Sequence, residues 1–257
     1  MRIGLVLGEG HEAKQAKLAE AHGLFGVVAG SGNPLTAVNA AVYASTATEF
    51  VRVVTRVRLG LEHPVTIAEE LSILDNANNG RTIVLADTGD LTAQSAADEI
   101  AVLREALSSR PIQHEGPAWK VPAGLPANVT APTSISVTPK PAQLEVPFWV
   151  MGPGAEEVGA AAGLAVMARE PHILARPKLV EPGLATLSGH LQPDRELVTS
   201  WAAAGVTHLF VELPAAQLDE TMRMVSRYLA PEVLMPHFPR VMSESKVPLA
   251  WPGDHSQ

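Results

Sequence analysis

The feature that most constrains the fold is a repeated alternation of short apolar runs with amphipathic, helix-like segments. The first half of the chain contains four such units, whose strand-like runs are residues 2–7, 24–29, 51–59 and 82–86. Strands that alternate with helices build a parallel sheet, since each helix carries the chain back to the edge where the next strand begins. The chain is therefore predicted to be an α/β protein.

The second half continues the alternation less regularly. Strands and helices are predicted in turn at residues 146–151, 155–163, 164–168, 195–204, 206–213 and 218–229. Residues 171–193 carry only a weak signal. Six or seven β–α units in about 250 residues are typical of the (β/α)8 TIM barrel. We predict a TIM barrel that is shortened or incomplete, with an open doubly wound sheet as the alternative.

The chain of 257 residues is expected to form a single TIM-barrel domain over residues 1–257. Residues 111–146 interrupt the alternation, because they are rich in proline and lack helical periodicity. A loop of this length inside a compact domain is typical of a lid or a binding loop, with disorder as the alternative. Residues 236–257 follow the last helical pattern and are predicted to be a C-terminal tail.

Composition excludes several classes of partner. The chain has 19 basic and 27 acidic residues, and the basic ones are scattered, so the basic surface that nucleic acids require is absent. No apolar run reaches the roughly 20 residues of a membrane-spanning helix, and the first ten residues lack a signal-peptide pattern. The chain has no cysteine, and its histidines show no metal-binding spacing. We expect a cytoplasmic protein without nucleic acid, membrane or metal partners.

A glycine-rich sequence, Gly8-Glu9-Gly10-His11-Glu12-Ala13, follows the first predicted strand and begins the first helix. It matches the G-x-G-x-x-A form of the dinucleotide-binding fingerprint. Glu9 would, however, place a carboxylate beside the pyrophosphate, and the second strand ends at Ala29-Gly30-Ser31 without an acidic residue for the ribose. A glycine turn between a barrel strand and its helix is favoured, and a nicotinamide-dependent dehydrogenase is a distant alternative.

Barrel enzymes build their sites at the carboxyl ends of the strands. The polar residues at those positions are Glu9, His11, Ser31, Asn33, Glu62, His63, Asp87, Asp90, Arg169, Glu170, His172 and Glu212. Most of them are expected to be structural, and His63-Pro64 is typical of a helix entry. Asp87-Thr88-Gly89-Asp90 is either a cap and turn for the next helix or a ligand contact, and both interpretations stay open.

Gly152-Pro153-Gly154 lies between a predicted strand and a predicted helix. Backbone N–H groups at a helix N-terminus bind anions, so a phosphate group would fit there. The alternative is a tight turn stiffened by proline, because Glu156 and Glu157 in the first helical turn already complement the helix dipole. The sequence supports both interpretations equally.

Residues 55–85 carry short motifs in a fixed order, which are Leu59-Gly60, His63-Pro64, Ala68-Glu69, Leu74-Asp75 and Gly80-Arg81. In order and spacing this stretch resembles the luciferase-like flavin monooxygenase family. In that family a strand ending in Leu-Gly leads to His-Pro, a helix, Leu-Asp, a Gly-Arg turn and another apolar strand. The resemblance continues more weakly through residues 146–150 and 204–206.

The resemblance implies a dimeric (β/α)8 barrel that holds reduced FMN from a separate flavin reductase, or a deazaflavin coenzyme in a sister branch. It implies that the turn after residue 151 binds the flavin phosphate and that the fourth strand approaches the flavin ring. The implied cofactor-binding residues are Ala86, Asp87, Thr88, Met151, Gly152, Pro153, Gly154 and Ala155. No catalytic residue is assigned, since residues 29–33 occupy the place where luciferase-like enzymes often have a catalytic histidine.

The implied function is that of an FMN-dependent two-component monooxygenase, which oxygenates a small organic substrate through a flavin hydroperoxide. The flavin would carry the chemistry, while the protein would supply a dry pocket and orientation. Two alternatives stay open: a flavin- or deazaflavin-dependent reductase that transfers hydride, and a non-catalytic flavin-binding protein or subunit. The expected partners are the substrate, a flavin reductase, and a second copy of the chain or a related subunit.

Overall fold

The computed structural model describes residues 1–124, 130, 132–170, 180–214 and 218–229, so the predicted tail at 236–257 lies outside the described residues. The strands of the described part are β1 (Arg2–Val6), β2 (Gly26–Ala29), β3 (Arg52–Arg58), β4 (Thr82–Asp87), β5 (His114–Glu115), β6 (Lys120–Val121), β7 (Phe148–Met151), β8 (Ala165–Val166), β9 (Pro182–Thr186) and β10 (His208–Glu212). β5 and β6 form a separate antiparallel pair. The other eight are parallel neighbours in the order β8, β7, β4, β3, β2, β1, β10, β9.

The two ends of this sheet meet, which makes the fold a TIM barrel. One parallel bridge joins Ala168, just after β8, to Gly183 on β9. There Ala168 N–H donates to Pro182 O at 3.0 Å, and Leu184 N–H donates to Ala168 O at 2.8 Å. The predicted barrel is confirmed, and its described part contains eight strands where the sequence predicts six or seven.

Helices cover the outside of the barrel. They are α1 (Glu12–Ala21), α2 (Ala37–Thr46), α3 (Pro64–Ala77), α4 (Ala93–Leu107), α5 (Ala155–Ala162), α6 (Leu191–Ala203) and α7 (Leu218–Met224), which continues as a π-helical turn over Val225–Leu229. The predicted entry of α3 is confirmed, since His63 Nδ1 accepts a hydrogen bond from Val65 N–H at 3.2 Å. α2 is preceded by a 3-10 turn (Pro34–Thr36) that is capped by Asn33, whose side chain accepts a hydrogen bond from Leu35 N–H.

β9 has no counterpart among the predicted strands. Its sequence, Pro-Gly-Leu-Ala-Thr, lacks a β-branched run and contains two residues that are poor strand formers. Packing requires Gly183, because a Cβ atom there would lie 2.7 Å from Cζ3 of Trp201 on α6. The barrel thus places a strand where local propensity is weak, since pairing with β10 supplies its backbone hydrogen bonds.

Two apolar layers follow from the alternation of side chains along each strand. The larger layer lies between strands and helices and includes Leu5, Val53 and Val84. The smaller one fills the barrel interior with Val28, Val54, Ile83, Leu85, Trp149, Met151, Met167 and Phe210. A residue's place in the alternation therefore decides whether its side chain reaches the barrel interior.

The proline-rich segment 111–146 is anchored to α4 in its described part. Asp98 is hydrogen-bonded to His114 Nε2 at 2.8 Å, and it accepts from Ala118 N–H at 2.9 Å and Trp119 N–H at 2.8 Å. Burial alone would raise the pKa of Asp98, but these hydrogen bonds outweigh it and hold that pKa below its usual value. Asp98 therefore holds the β5–β6 hairpin in place, and closure of the segment as a lid stays a prediction.

Candidate functional site

The carboxyl ends of the barrel strands carry an open, charged group of residues. In the register of the sheet, Asp87 on β4 pairs with Arg58 on β3 and with Met151 on β7. Paired residues point to the same face, and Met151 belongs to the interior cluster, so all three face the barrel interior. Arg56 lies one layer lower on β3, beside Leu85. We call the group of Arg56, Arg58, Asp87 and Met151 the mouth.

Asp87 is the centre of an ion-pair network in the mouth. Its Oδ2 atom accepts hydrogen bonds from Arg56 Nη2 at 2.6 Å and Arg56 Nε at 3.0 Å, and Arg58 Nη1 lies 3.7 Å away. The side chain of Asp87 is 5% exposed, against 24% for Arg56 and 29% for Arg58. Arg58 also pairs with Asp90, but that carboxylate is fully exposed, so the pair contributes little. One buried carboxylate therefore serves two guanidinium groups.

Thr88 joins the end of β4 to the turn that follows β7. Its Oγ1 lies 2.8 Å from Pro153 O and 3.2 Å from Met151 O, and its N–H donates to Met151 O at 2.9 Å. A Cβ atom on Gly152 would lie 2.5 Å from Thr88 Oγ1 and 2.8 Å from Asp87 Oδ1, so only glycine permits this close approach. The structure thus brings together two segments that the sequence singles out, 87–88 and 151–154.

The turn leaves backbone accessible at the N-terminus of α5. Gly154 is the N-cap with a φ of 71°, and no side chain caps the helix. The nearest atom to a Cβ on Gly154 would be Ala93 Cβ, at 3.8 Å. Ala155 N–H donates to Gly152 O at 3.2 Å, so the tight-turn interpretation is confirmed. The open backbone at an uncapped helix start also fits an anionic group such as phosphate.

The other sequence-predicted residues near the mouth are buried in the core or form local turns. The side chain of Ala86 is buried in the layer between strands and helices, as is that of Ala155. Gly89 N–H donates to Asp87 Oδ1 at 3.2 Å, so the predicted turn is present. The predicted cap is wrong, because the N-cap of α4 is Thr92, whose side chain accepts from Ser95 N–H.

The glycine-rich sequence at residues 8–13 forms the turn between β1 and α1. Gly8 N–H donates to Gln15 Oε1 at 2.6 Å, which ties the turn to the helix that follows. The Glu9 side chain packs over Gly32, where a Cβ atom would lie 2.8 Å from Glu9 Oε2. The favoured interpretation, a glycine turn in a barrel, agrees with this geometry.

Two further pairs of strand ends are joined by side-chain hydrogen bonds that do not involve Asp87. Ser31 Oγ donates to Leu7 O at 2.7 Å, which joins the ends of β2 and β1. Thr186 Oγ1 donates to Glu212 Oε2 at 3.0 Å, which joins β9 and β10. His172 lies outside the described residues.

Arg56 and Arg58 are site residues that the strand-end pattern does not predict. Their signal is the sequence Arg-Val-Val-Thr-Arg-Val-Arg of β3, which has arginine at every second position near its carboxyl end. In a strand that lines a barrel, residues two apart share a face, and Val54 identifies the inward one. Charged residues at those positions point into the mouth.

The amino end of the barrel interior is closed by aromatic side chains. The ring of His208 lies 4.7 Å from the ring of Phe25 and 5.9 Å from that of Trp149, which in turn lies 5.8 Å from Phe210. Burial, together with the positive charges of Arg2 and the N-terminus, lowers the pKa of His208 to about 4. We call Phe25, Trp149, His208 and Phe210 the floor of the barrel.

Two absences hold for the part of the chain that the structure describes. In that part, no three histidine, aspartate or glutamate side chains are grouped so that they could hold a metal ion. None of the helices found there combines the length and the apolar character needed to cross a membrane.

A family model matches most of the chain. Residues 9–168 match the model described as luciferase-like monooxygenase. The matched range contains all of the mouth, together with Thr88 and the Gly152–Gly154 turn. A comparison with curated proteins gives no match.

Solved structures share the fold over nearly the whole chain. Monooxygenase RslO1 from Streptomyces bottropensis is 17% identical, with 90% of this chain and 99% of that chain covered and a TM-score of 0.62. The coenzyme F420-dependent tetrahydromethanopterin reductase from Methanopyrus kandleri is 13% identical, with 90% and 99% covered and a TM-score of 0.65. The oxygenating constituent of 3,6-diketocamphane monooxygenase from Pseudomonas putida, in complex with FMN, is 12% identical, with 92% and 99% covered and a TM-score of 0.62.

Proposed function

The chain belongs to the luciferase-like monooxygenase family, a family of oxidoreductases, and on this premise we propose that it is an FMN-dependent monooxygenase acting on a small organic substrate. The observation that carries the proposal is the contact between the glycine turn before α5 and the mouth, made through Thr88. The aromatic floor closes the other end of the interior, so cofactor and substrate would meet at the mouth.

We propose that the backbone N–H of Gly154 and those that follow Ala155 in the first turn of α5 hold the FMN phosphate, as an uncapped helix start favours an anion; Pro153 has no N–H, and that of Ala155 already donates to Gly152 O. The flavin ring would lie beside Asp87 and Thr88, at the end of β4. Reduced FMN supplies the electrons that activate dioxygen. The protein's residues bind and orient the cofactor, and the apolar interior below the mouth keeps water from the reacting atoms.

The proposed partners follow from this role. A two-component monooxygenase needs a separate flavin reductase, and we propose that the chain also assembles with a second copy or with a related subunit. Sedimentation velocity of the isolated chain tests the assembly. A stable dimer is expected for a homodimer, whereas a monomer that dimerises only when a related subunit is added would favour the heterodimer.

Anaerobic titration with reduced FMN tests the cofactor site. Gly154→Ala is expected to weaken FMN binding at least about tenfold, because a methyl group would enter the phosphate turn. Gly163→Ala is the matched control, since Gly163 ends the same helix with a φ of 68° and carries the same backbone strain away from the mouth. Equal losses in both variants would assign the effect to strain and count against the phosphate site.

The same titration distinguishes the alternatives. Wild-type protein that fails to bind reduced FMN would overturn the monooxygenase proposal. Binding of a reduced deazaflavin in its place would favour a reductase that transfers hydride. Binding of reduced FMN without oxygen consumption above that of the free flavin, across a panel of substrates, would favour a non-catalytic flavin-binding subunit.

A further inference from the structure

We propose that Arg56 determines substrate specificity by binding a carboxylate group, so that the substrate is a small organic acid with an apolar body. The inference rests on the proposed function in one respect, which is that the mouth is the place where the substrate binds. It is supported by the charge balance of the mouth, the unused donors of Arg56 and the apolar surface beside Arg56.

The charge balance of the mouth favours one further anion. Arg56 and Arg58 contribute two positive charges, and Asp87 places one buried negative charge between them. Asp90 is exposed to solvent, so it compensates little of the remaining positive charge. Charges that lose contact with water are stable only when they are paired. A carboxylate, with one negative charge, matches the remaining charge better than a phosphate dianion does.

Arg56 also has the donors to bind that anion. Of the five N–H groups of a guanidinium, Nε–H and one on Nη2 are bound to Asp87, and one on Nη1 points to Ser31 O at 3.5 Å. The other N–H groups on Nη1 and Nη2 have no partner among the described residues. These atoms form the fork that binds carboxylates through two parallel hydrogen bonds. The side chain keeps 24% exposure although its strand position faces inward, so the mouth is open above it.

Arg58 is the less suitable anchor for a substrate. Its guanidinium packs against Gly89 and is bound to Asp90. It also borders a small cavity whose lining includes Glu62 and Glu70. We therefore assign Arg58 the role of sharing Asp87, which leaves Arg56 with less than one full counter-charge.

The surface beside Arg56 is apolar. Leu85 is the register partner of Arg56 on β4, and Trp149 is the register partner of Leu85 on β7. Both side chains are buried in the interior cluster, which Met151 and Met167 continue. A ligand whose carboxylate binds Arg56 would lay its body against this surface.

Matched probes test the assignment without knowledge of the natural substrate. Benzoate and benzyl alcohol share an apolar ring and differ in charge, and their binding to the full chain is measured by calorimetry or ligand-observed NMR. Wild-type protein is expected to bind benzoate at least about tenfold more tightly, and Arg56→Gln is expected to abolish that preference. Arg56→Lys is expected to retain part of it. Arg104→Gln, on the outer surface of α4, is the control and is expected to behave like wild type.

Each outcome bears on the proposal. Absence of benzoate binding, lack of preference in wild type, or a preference that persists in Arg56→Gln would overturn it. A parallel titration compares reduced FMN with reduced riboflavin, which lacks the phosphate. If Arg56→Gln weakens FMN binding and leaves riboflavin binding unchanged, Arg56 binds the cofactor phosphate and the substrate role is wrong. If wild type binds benzoate through Arg56 and no flavin at all, the anion site stands and the proposed function fails.

Discussion

The mouth and the floor are two ends of one barrel interior, and they differ in polarity while sharing the same strands. β7 contributes Trp149 to the floor and Met151 to the mouth, only two residues further along. At the floor, aromatic rings lie against one another and keep His208 neutral. At the mouth, two arginines share one buried carboxylate and remain in contact with solvent. The comparison indicates that apolar packing at the floor stabilises the barrel, whereas the charged mouth remains open to a ligand.

The largest change in the free energy of unfolding is expected from a cavity in the floor. Phe210 is fully buried, and its ring packs so closely against Gly4 that a Cβ atom there would overlap it. Phe210→Ala should lower the free energy of unfolding by about 4 kcal/mol, because it removes buried apolar surface and leaves a cavity. Leu35→Ala, at a side chain that is 66% exposed, is the control and should change it by less than about 0.5 kcal/mol. Urea denaturation measures both, and equal stabilities would contradict the role of the floor.

The second largest loss of stability is expected at low pH, through protonation of His208 in the floor. The pKa of His208 is about 4 in the folded protein, whereas its ordinary value is 6.5. The unfolded state takes up the proton first as pH falls. Stability is therefore complete above the unfolded pKa and falls between 6.5 and about 4, by roughly 3 kcal/mol at most.

Urea unfolding at several pH values across that window measures this loss. His208→Gln should remove most of the pH dependence, since glutamine does not titrate. His190→Gln, at an exposed histidine before α6, should leave it unchanged. A loss of stability in His208→Gln as large as that of wild type would rule out His208 as its source.

A smaller effect is expected from the carboxylate of the mouth. Asp87→Asn leaves two guanidinium groups without a buried counter-charge and should cost about 2 kcal/mol of unfolding free energy, less than a fully buried pair would because both arginines reach solvent. Asp90→Asn removes the exposed partner of Arg58 and should cost less than about 0.5 kcal/mol. Thermal and urea unfolding compare the two variants. Similar losses would mean that burial of Asp87 does not matter.

The smallest effect on stability is expected at the link between the mouth and the glycine turn. Thr88→Val removes the hydroxyl that bonds to Pro153 O and should cost about 1 kcal/mol. If the turn holds FMN, its affinity for reduced FMN should fall as well, whereas Thr88→Ser should retain both stability and affinity. Urea unfolding and the anaerobic titration measure the two properties. A valine variant that binds FMN like wild type would separate Thr88 from the cofactor site.

Much of the fold is predictable because its signals are local. The apolar stripe of α4 (Ala93–Leu107) lies within the helix itself, and its threonine cap lies directly before it. β9 is different, because its strand conformation comes from pairing with β10 and from the space that Trp201 leaves for Gly183. No propensity in its five residues indicates a strand.

The site is predictable in part for the same reason. Asp87, Thr88 and the turn at 152–154 each follow a strand, and the ends of parallel strands meet at one edge, so their proximity could be inferred. Ala86 could be identified only by position, and its side chain faces the helices. Arg56 was not predicted as a site residue, because the spacing of the arginines on β3 shows that they share a face but does not show that Asp87 of the neighbouring strand lies there.

The sequence by itself determined the alternation of strands and helices, the glycine turns at the strand ends and the membership of a family, since these depend on residues close together in the chain. The tertiary structure alone decided that Arg56 and Asp87, 31 residues apart, share one ion pair, and that His208 lies among aromatic rings. Closure of the barrel sets the register of neighbouring strands, and register decides which inward side chains meet.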